Sequence, residues 1–486
     1  MSTLAAQDAT MYWLSSRTRN DLFLLYCFDD SGCLGAELRE FVARRSARIA
    51  DLRVRLRELP GDLDYPSWVR CDFRAEQFVE HFLSEANWPG VCTALGKLLG
   101  TGVDATERPW RLHVFRGIEG APRGGPGLAM VVVLQLSHAL ADGRRGAEIA
   151  RALFAESDPI EPVATARASV GGVARVGRRI GTAAMELVPV DPVPVRSALA
   201  LLRMPLQFSR TVVLGYQAFR AQRELAELTT AGKIPGPGPG FTPSLVNRSD
   251  AVDGDSADRQ SEVHQVRMIV CDAARMRIRD RTVTVVALTA VSIALERYLA
   301  ARGEQVDRLG AQVPMALSDN RIGAHNNYRS LGVDLFIDEP DPLARADKIA
   351  AALADRRIRA RHPLLTAQDR VTAVTPAPLL RRDVDRYPID TVPDSIAGHT
   401  VVSSVHRGPA DLRFGGARVR FTGGFPAIGS VMHLTHGVHG LGDTVTVSVH
   451  ADTAALPDID DYTELLRTAL NEVFICAAGE LGTSAG

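Results

Sequence analysis

The chain has 486 residues, enough for two or three domains with sizeable cores. Apolar side chains make up 46 %, and 56 basic residues stand against 57 acidic ones, an ordinary globular composition that excludes an overall bias toward nucleic acid. The cysteines Cys27, Cys33, Cys71, Cys92, Cys271 and Cys476 form no C-x-x-C pair and no zinc spacing, so reduced thiols in a cytosolic protein are expected.

The opening "MSTLAAQDATMYWLSSRTRND" has no charged stretch followed by an apolar one, so a secretory leader is not expected. The longest uninterrupted apolar runs, such as "LAMVVVL", are too short to span a bilayer. Residues 1–164 mix a helix-like stretch, "LGAELREFVARRSARIADLRVRLREL", with strand-like "RLHVF" and "LAMVVVLQL". Residues 165–240 read as a helical crossover interrupted at "VPVDPVPV". It is rich in arginine (Arg167, Arg175, Arg178, Arg179, Arg196, Arg203, Arg210, Arg220, Arg223) and ends near "KIPGPGPGF", which sustains neither helix nor ladder. From 241 to 486, the polar run "NRSDAVDGDSADRQSE" reads as a flexible loop. Then "HQVRMIV" and "DTVTVSVHAD" alternate as half-buried strands, and "TVVALTAVSIALERYLAARGE" reads as a buried helix. Two α/β halves joined by a long crossover are the simplest account.

The stretch "MVVVLQLSHALADGRRGAEI" sets a β-branched strand against His138, with Asp142 and Gly143 at the entry to a helical pattern. A histidine at a strand end can enter a channel between two layers. An aspartate at a helix start can accept backbone N–H groups. Gly143 is expected to allow the sharp turn. In "VMHLTHGVHG", His433, His436 and His439 stand three apart, but i and i+3 on a strand face opposite ways. They read as ordinary strand residues rather than metal ligands, with His433 a candidate to face the channel.

"SHALADG" resembles the H-H-x-x-x-D-G motif of the wax ester synthase/diacylglycerol acyltransferase family, within the chloramphenicol acetyltransferase-like acyltransferases. The likeness runs in order along the chain. "LAAQDATMYWL" is similar to the family's opening around an Asp-Ala pair, and "RPWRLHVFRG" to the segment with its Pro-Leu-Trp motif. "FTPSLVN" and "VPMALSDNRIGAHNNYRSLGVDL" resemble its second half, and "VVSSVHRGPADLRFGGARV" its Ser-Asn-Val-x-Gly-Pro stretch.

The resemblance implies an α/β fold of two mixed-sheet domains around an interdomain channel. It also implies transfer of a long-chain acyl group from acyl-CoA to diacylglycerol or a fatty alcohol. His138 corresponds to the family's general base. A neutral imidazole suits the removal of a proton from an alcohol. Asp142 is expected to orient the loop by pairing with an arginine, not to relay protons. No resident cofactor and no metal are expected, acyl-CoA being a co-substrate. Ser137 replaces the motif's first histidine, Thr284-Val285 its Asn-Asp pair, and Ser403-Ser404 its Ser-Asn pair. Thr284, Ser403 and Ser404 are therefore candidate substrate contacts whose changes bear on rate and acceptor choice. The arginine-rich crossover reads either as a solvated helical face or as a segment that sits on an anionic membrane or lipid-droplet surface, or near the phosphates of CoA. A cytoplasmic protein, peripheral on the inner membrane face and without nucleic-acid partners, is expected. Two alternatives stay open: acylation of another hydroxyl or amine, and a non-catalytic acyl-lipid-binding paralogue.

Overall fold

Two six-stranded sheets carry the fold in the computed structural model, which describes residues 2–124, 127–156, 192–248, 264–317, 323–389 and 391–483. The first sheet runs Arg413–Phe414, Ala417–Gly424, Leu22–Asp29, Ala129–Leu136, Trp110–Ile118, Phe78–His81. The second runs Tyr328–Asp334, Gly310–Ala316, Thr400–His406, Leu434–Leu441, Thr444–Asp452, His264–Asp272. Both are mixed. Phe78–His81 is parallel to Trp110–Ile118, and Thr400–His406 is parallel to both its neighbours, while the other pairs are antiparallel.

The strand Ala129–Leu136 is buried at every position, as a central strand covered on both faces requires. The stretch "LGAELREFVARRSARIADLRVRLREL" is α-helical only over Gly35–Ser46, with a single 3-10 turn at Ala50–Leu52. Val54–Arg57 is a strand paired with Ser67–Arg70, because Val54 and Leu56 alternate with Arg55 and Arg57 at a period of two. The two halves are also not separate in space. Residues from the 241–486 part supply two strands of the first sheet, with Leu24 opposite Gly424. A boundary at 240 therefore divides the sequence but not the fold.

A further seam joins the helix Trp88–Leu99 to the strand His264–Asp272, under Phe23, Leu25, Met268 and Phe421. Here Gly96 cannot be replaced cheaply, since a Cβ would lie 2.3 Å from the His264 carbonyl. The helix Val283–Ala301 is long and apolar enough to cross a membrane by composition, yet 72 % of its most apolar window is buried in the protein. It is the core helix of the C-terminal half, packed against Ile459–Thr483. The crossover contributes a helix over Pro192–Thr230. Of the polar loop expected at 247–262, Asn247 is buried at the end of the 3-10 turn Leu245–Asn247, and residues 249–262, like Arg167, Arg175, Arg178 and Arg179, lie outside the described residues.

Candidate active site

At the end of the buried strand, Leu136 still pairs with Leu22 and Trp110. The chain then turns: Ser137 N–H donates to Pro109 O at 2.8 Å, and Leu140 N–H to Ser137 O at 2.9 Å. This turn projects His138 into a cavity of about 630 Å³ between the two sheets. The wall combines Leu22, Phe23 and Leu24 from the first sheet with Pro314, Tyr328, Ser403 and Ser404 from the second.

His138 is half-buried, its ring 6.4 Å from the Tyr328 ring between centroids. Nδ1 is buried and makes no hydrogen bond of normal geometry among the described residues, so Nε2 is the nitrogen open to the chamber. Burial pushes the imidazole pKa down, against smaller upward pulls from its own carbonyl, Asn326, Asp142 and Asp8. The ring is therefore neutral near pH 7.

The backbone of His138 is fixed from the far side of the molecule. Asn326 Nδ2 donates to His138 O at 2.6 Å. That amide also donates to Asp8 Oδ1 at 3.0 Å, and the Asn326 and His325 N–H groups donate to the same carboxylate at 2.8 and 2.9 Å. Asp8, on the helix Ala6–Leu14, is only 1 % exposed. Neither Asp8 nor Asn326 was among the candidate site residues. The only local signal for the second was the turn-forming pair Asn326-Asn327 before a strand.

Asp142 caps the helix Gly143–Phe154, accepting from Arg145 N–H at 2.9 Å. It also lies 3.4 Å from the Asn327 N–H. The expected arginine pair is not formed. Among the described residues no cation meets Asp142, and Arg145 reaches Asp51 instead. Its carboxylate is occupied by backbone donors of a helix start and a loop, which leaves no side on which an arginine is needed. Substituting Asp142→Ala should cost about 1 kcal/mol of stability, the usual worth of such a cap, while Asp142→Asn retains most of it. Denaturation midpoints of the two variants check this, and equal losses in both would show that the charge rather than the cap matters.

Gly143 does not supply a tight turn. Its φ is not positive, and a Cβ there would make ordinary contact with Val405 Cγ2 at 3.5 Å. What it supplies is open wall in the chamber. Ser137 is buried below that wall, its hydroxyl weakly accepting from Ala139 N–H at 3.4 Å. Ser403 and Ser404 do line the chamber, but Thr284 and Val285 do not. Val285 is packed in the C-terminal core, and its N–H is capped by Thr282 Oγ1. The helix start thus lies outside the chamber wall, and a carboxylate at position 285 would be buried among apolar groups.

The three histidines part company. His433 pairs with Asp452 at 3.1 Å and does not line the chamber. His436 lies between Thr400 Oγ1 and Tyr462 OH, at 2.9 and 2.8 Å. His439, on the opposite face of its strand, is the one that reaches the chamber.

Two sheets closing on a chamber, with a His-x-x-x-Asp-Gly turn delivered by a central strand, define a chloramphenicol acetyltransferase-like acyltransferase fold. A wax ester synthase/diacylglycerol acyltransferase from Marinobacter aquaeolei VT8 shares it at a TM-score of 0.58 and 16 % identity, over 98 % of this chain and 100 % of that one. A mutant starter condensation domain of rhizomide synthetase RzmA, in complex with C8-CoA and Leu-SNAC, shares it at 0.52 and 14 % identity, over 98 % and 94 %. No curated protein sequence matches. The family model for the wax ester synthase/diacylglycerol acyltransferase catalytic domain matches residues 4–229, and that for the WS/DGAT C-terminal domain matches 325–473. The chain belongs to the wax ester synthase/diacylglycerol acyltransferase family and is an acyltransferase.

Proposed function

We propose that the protein moves a long-chain acyl group from acyl-CoA to the hydroxyl of a lipid alcohol, with His138 as general base. The observation that carries this is a neutral imidazole whose Nε2 opens on a chamber walled by both sheets. With the ring proton on Nδ1, Nε2 takes the proton of the acceptor hydroxyl as its oxygen attacks the thioester carbonyl. The tetrahedral intermediate then expels the thiolate of CoA, which recovers the proton from Nε2. A C–O bond forms, a C–S bond breaks, and no acyl-enzyme intervenes. The Ser403 and Ser404 hydroxyls are the candidate donors to the developing oxyanion from the facing sheet. The reaction needs no resident cofactor. Diacylglycerol and fatty alcohols are the acceptors the family suggests. Release of free thiol from palmitoyl-CoA, measured with hexadecanol and with a dipalmitoyl glycerol, tests the reading. Release no faster than without an acceptor, for every alcohol tried, would overturn it.

The Pro192–Thr230 helix supports action at an anionic membrane face. Leu202, Leu206, Phe208, Val213 and Tyr216 are exposed, and Arg203, Arg210 and Arg220 are exposed among them. Apolar residues that enter the headgroup region beside arginines that meet its phosphates are the composition of an interfacial helix. The protein should co-float with phosphatidylglycerol vesicles more than with phosphatidylcholine vesicles, and Leu202→Glu with Phe208→Glu should abolish the difference. Equal flotation of parent and variant would place the contact elsewhere.

A further inference from the structure

One wall of the chamber holds a buried cation with no counter-charge. Arg407 follows the strand Thr400–His406 and is 5 % exposed. Its Nη1 is used up on neutral groups, donating to Thr422 Oγ1, Gly423 O and, more weakly, Leu25 O. Among the described residues no carboxylate pairs with it, and Nε and Nη2 make no hydrogen bond of normal geometry, the guanidinium meeting only the neutral Tyr26 hydroxyl on that side. Those two nitrogens form the edge of a guanidinium that grips a carboxylate or phosphate with two parallel hydrogen bonds.

Three more polar groups that lack a hydrogen bond of normal geometry adjoin it. The guanidinium lies 5.3 Å over the Tyr26 ring, whose buried hydroxyl neighbours Arg407 and Thr422 without a hydrogen bond of normal geometry. His439, 4 % exposed, has an unpartnered Nδ1 and stands across the strand pair from Thr446, whose hydroxyl is likewise unpartnered. Arg407 Nη2 and the His439 ring converge on Gly424, where a Cβ would lie 2.7 Å from Nη2 and 3.1 Å from His439 Nε2. Burial and the charge of Arg407 hold the His439 imidazole well below its usual pKa, so it is a neutral donor and acceptor rather than a second cation.

A buried, unpaired guanidinium among unpaired donors is costly unless something else supplies the acceptors. Both Arg407 and His439 line the same chamber as His138. We infer that Arg407 and His439 form a recognition site for an oxyanion carried by the acyl acceptor, which rests on the acyl-transfer reading above. The distance suits an acceptor rather than the reacting carbonyl. Leu22 lies level with Leu136, just before His138, and Leu24 lies level with Gly424. Two strand residues separate those levels by about 7 Å, too far for the reacting oxygen and within reach of a functional group further along the same molecule. The preferred acceptor therefore carries a hydroxyl at one position and a carboxylate or phosphate some carbons away.

The full-length protein is assayed for thiol release from palmitoyl-CoA with four acceptors: decanoate hydroxylated at its far end, the methyl ester of that acid, 1-decanol, and the monophosphate of the corresponding diol. The wild type should use one of the anionic acceptors at least tenfold better, in kcat/KM, than either neutral one, and the better anion identifies the group. Arg407→Met should lower that anionic-to-neutral ratio about tenfold or more, and Arg407→Lys should recover part of it. A wild-type ratio near one, or a ratio unchanged by Arg407→Met, overturns the site. The wild-type comparison needs no variant to fold. Turnover of neutral alcohols alone would sink the anion site and leave the acyltransferase reading standing; no turnover with any acceptor sinks that reading. In that second case the site is decided by thermal shift, since decanoate should raise the wild-type Tm more than decanol does, and equal shifts overturn it.

Discussion

Replacing His138 by alanine lowers turnover by about two to four orders of magnitude, the usual worth of a positioned general base. The side chain contributes little to the fold, because its ring faces the chamber and its Nδ1 makes no hydrogen bond of normal geometry. The variant should therefore keep its denaturation midpoint while losing rate. A variant that retained near-native transfer would show that the proton leaves by another route. The same imidazole sets the pH profile. Its neutral form is the active one, and burial holds its pKa below the ordinary value of about 6.5. kcat/KM should thus be level above pH 6.5 and fall only as the medium becomes more acidic and the ring protonates. An acid limb centred above pH 6.5 would mean that a different group is titrating.

Removing the Asp8 carboxylate strikes both stability and rate. Asp8→Ala strands three donors at once, the N–H groups of His325 and Asn326 and the Asn326 amide. Hydrogen bonds to a charged group contribute roughly 1.5–3 kcal/mol each, so the loss amounts to several kcal/mol, a large part of a typical folding free energy. Rate should fall as well, since Asn326 is what holds the His138 carbonyl. Asn326→Ala separates the two effects. It frees the His138 backbone but leaves Asp8 with the two backbone N–H groups, so activity should drop with a smaller change in midpoint. If Asp8→Ala kept both midpoint and turnover, the linkage between the N-terminal helix and the histidine turn would carry no energy.

What could be read from the sequence was what is local in it. The strand, the histidine, the helix cap at Asp142 and the helix beyond lie within some twenty-five consecutive residues, so alternation, β-branching and capping chemistry determine them together. Asp8 and Asn326 stand 318 residues apart, and nothing in either neighbourhood announces the other. Arg407 and His439 were hidden differently: one follows and the other sits on an ordinary strand pattern, and only the packing of the two sheets reveals that their polar atoms lack hydrogen bonds of normal geometry. Thr284 and Val285 show the converse limit. Correspondence with a motif fixes a place along a helix, but not where that end of the helix points, and here it points into the C-terminal core. Gly143 was read for its backbone freedom, whereas its φ is ordinary and only its lack of a side chain counts.

The strand Leu22–Asp29 gains one of its two neighbours, Ala417–Gly424, only after about 400 further residues have been made. At roughly 5–20 residues per second, synthesis leaves that edge uncovered for on the order of 20–80 s. Leu22–Asp29 reads "LFLLYCFD", apolar at almost every position, with no proline or lysine to discourage pairing. During those seconds the nascent chain offers a sticky, half-finished sheet to its neighbours on the polysome. Yield in the soluble fraction should accordingly depend on chaperone supply and translation speed, and an N-terminal half expressed alone should aggregate unless the Ala417–Gly424 segment is supplied with it.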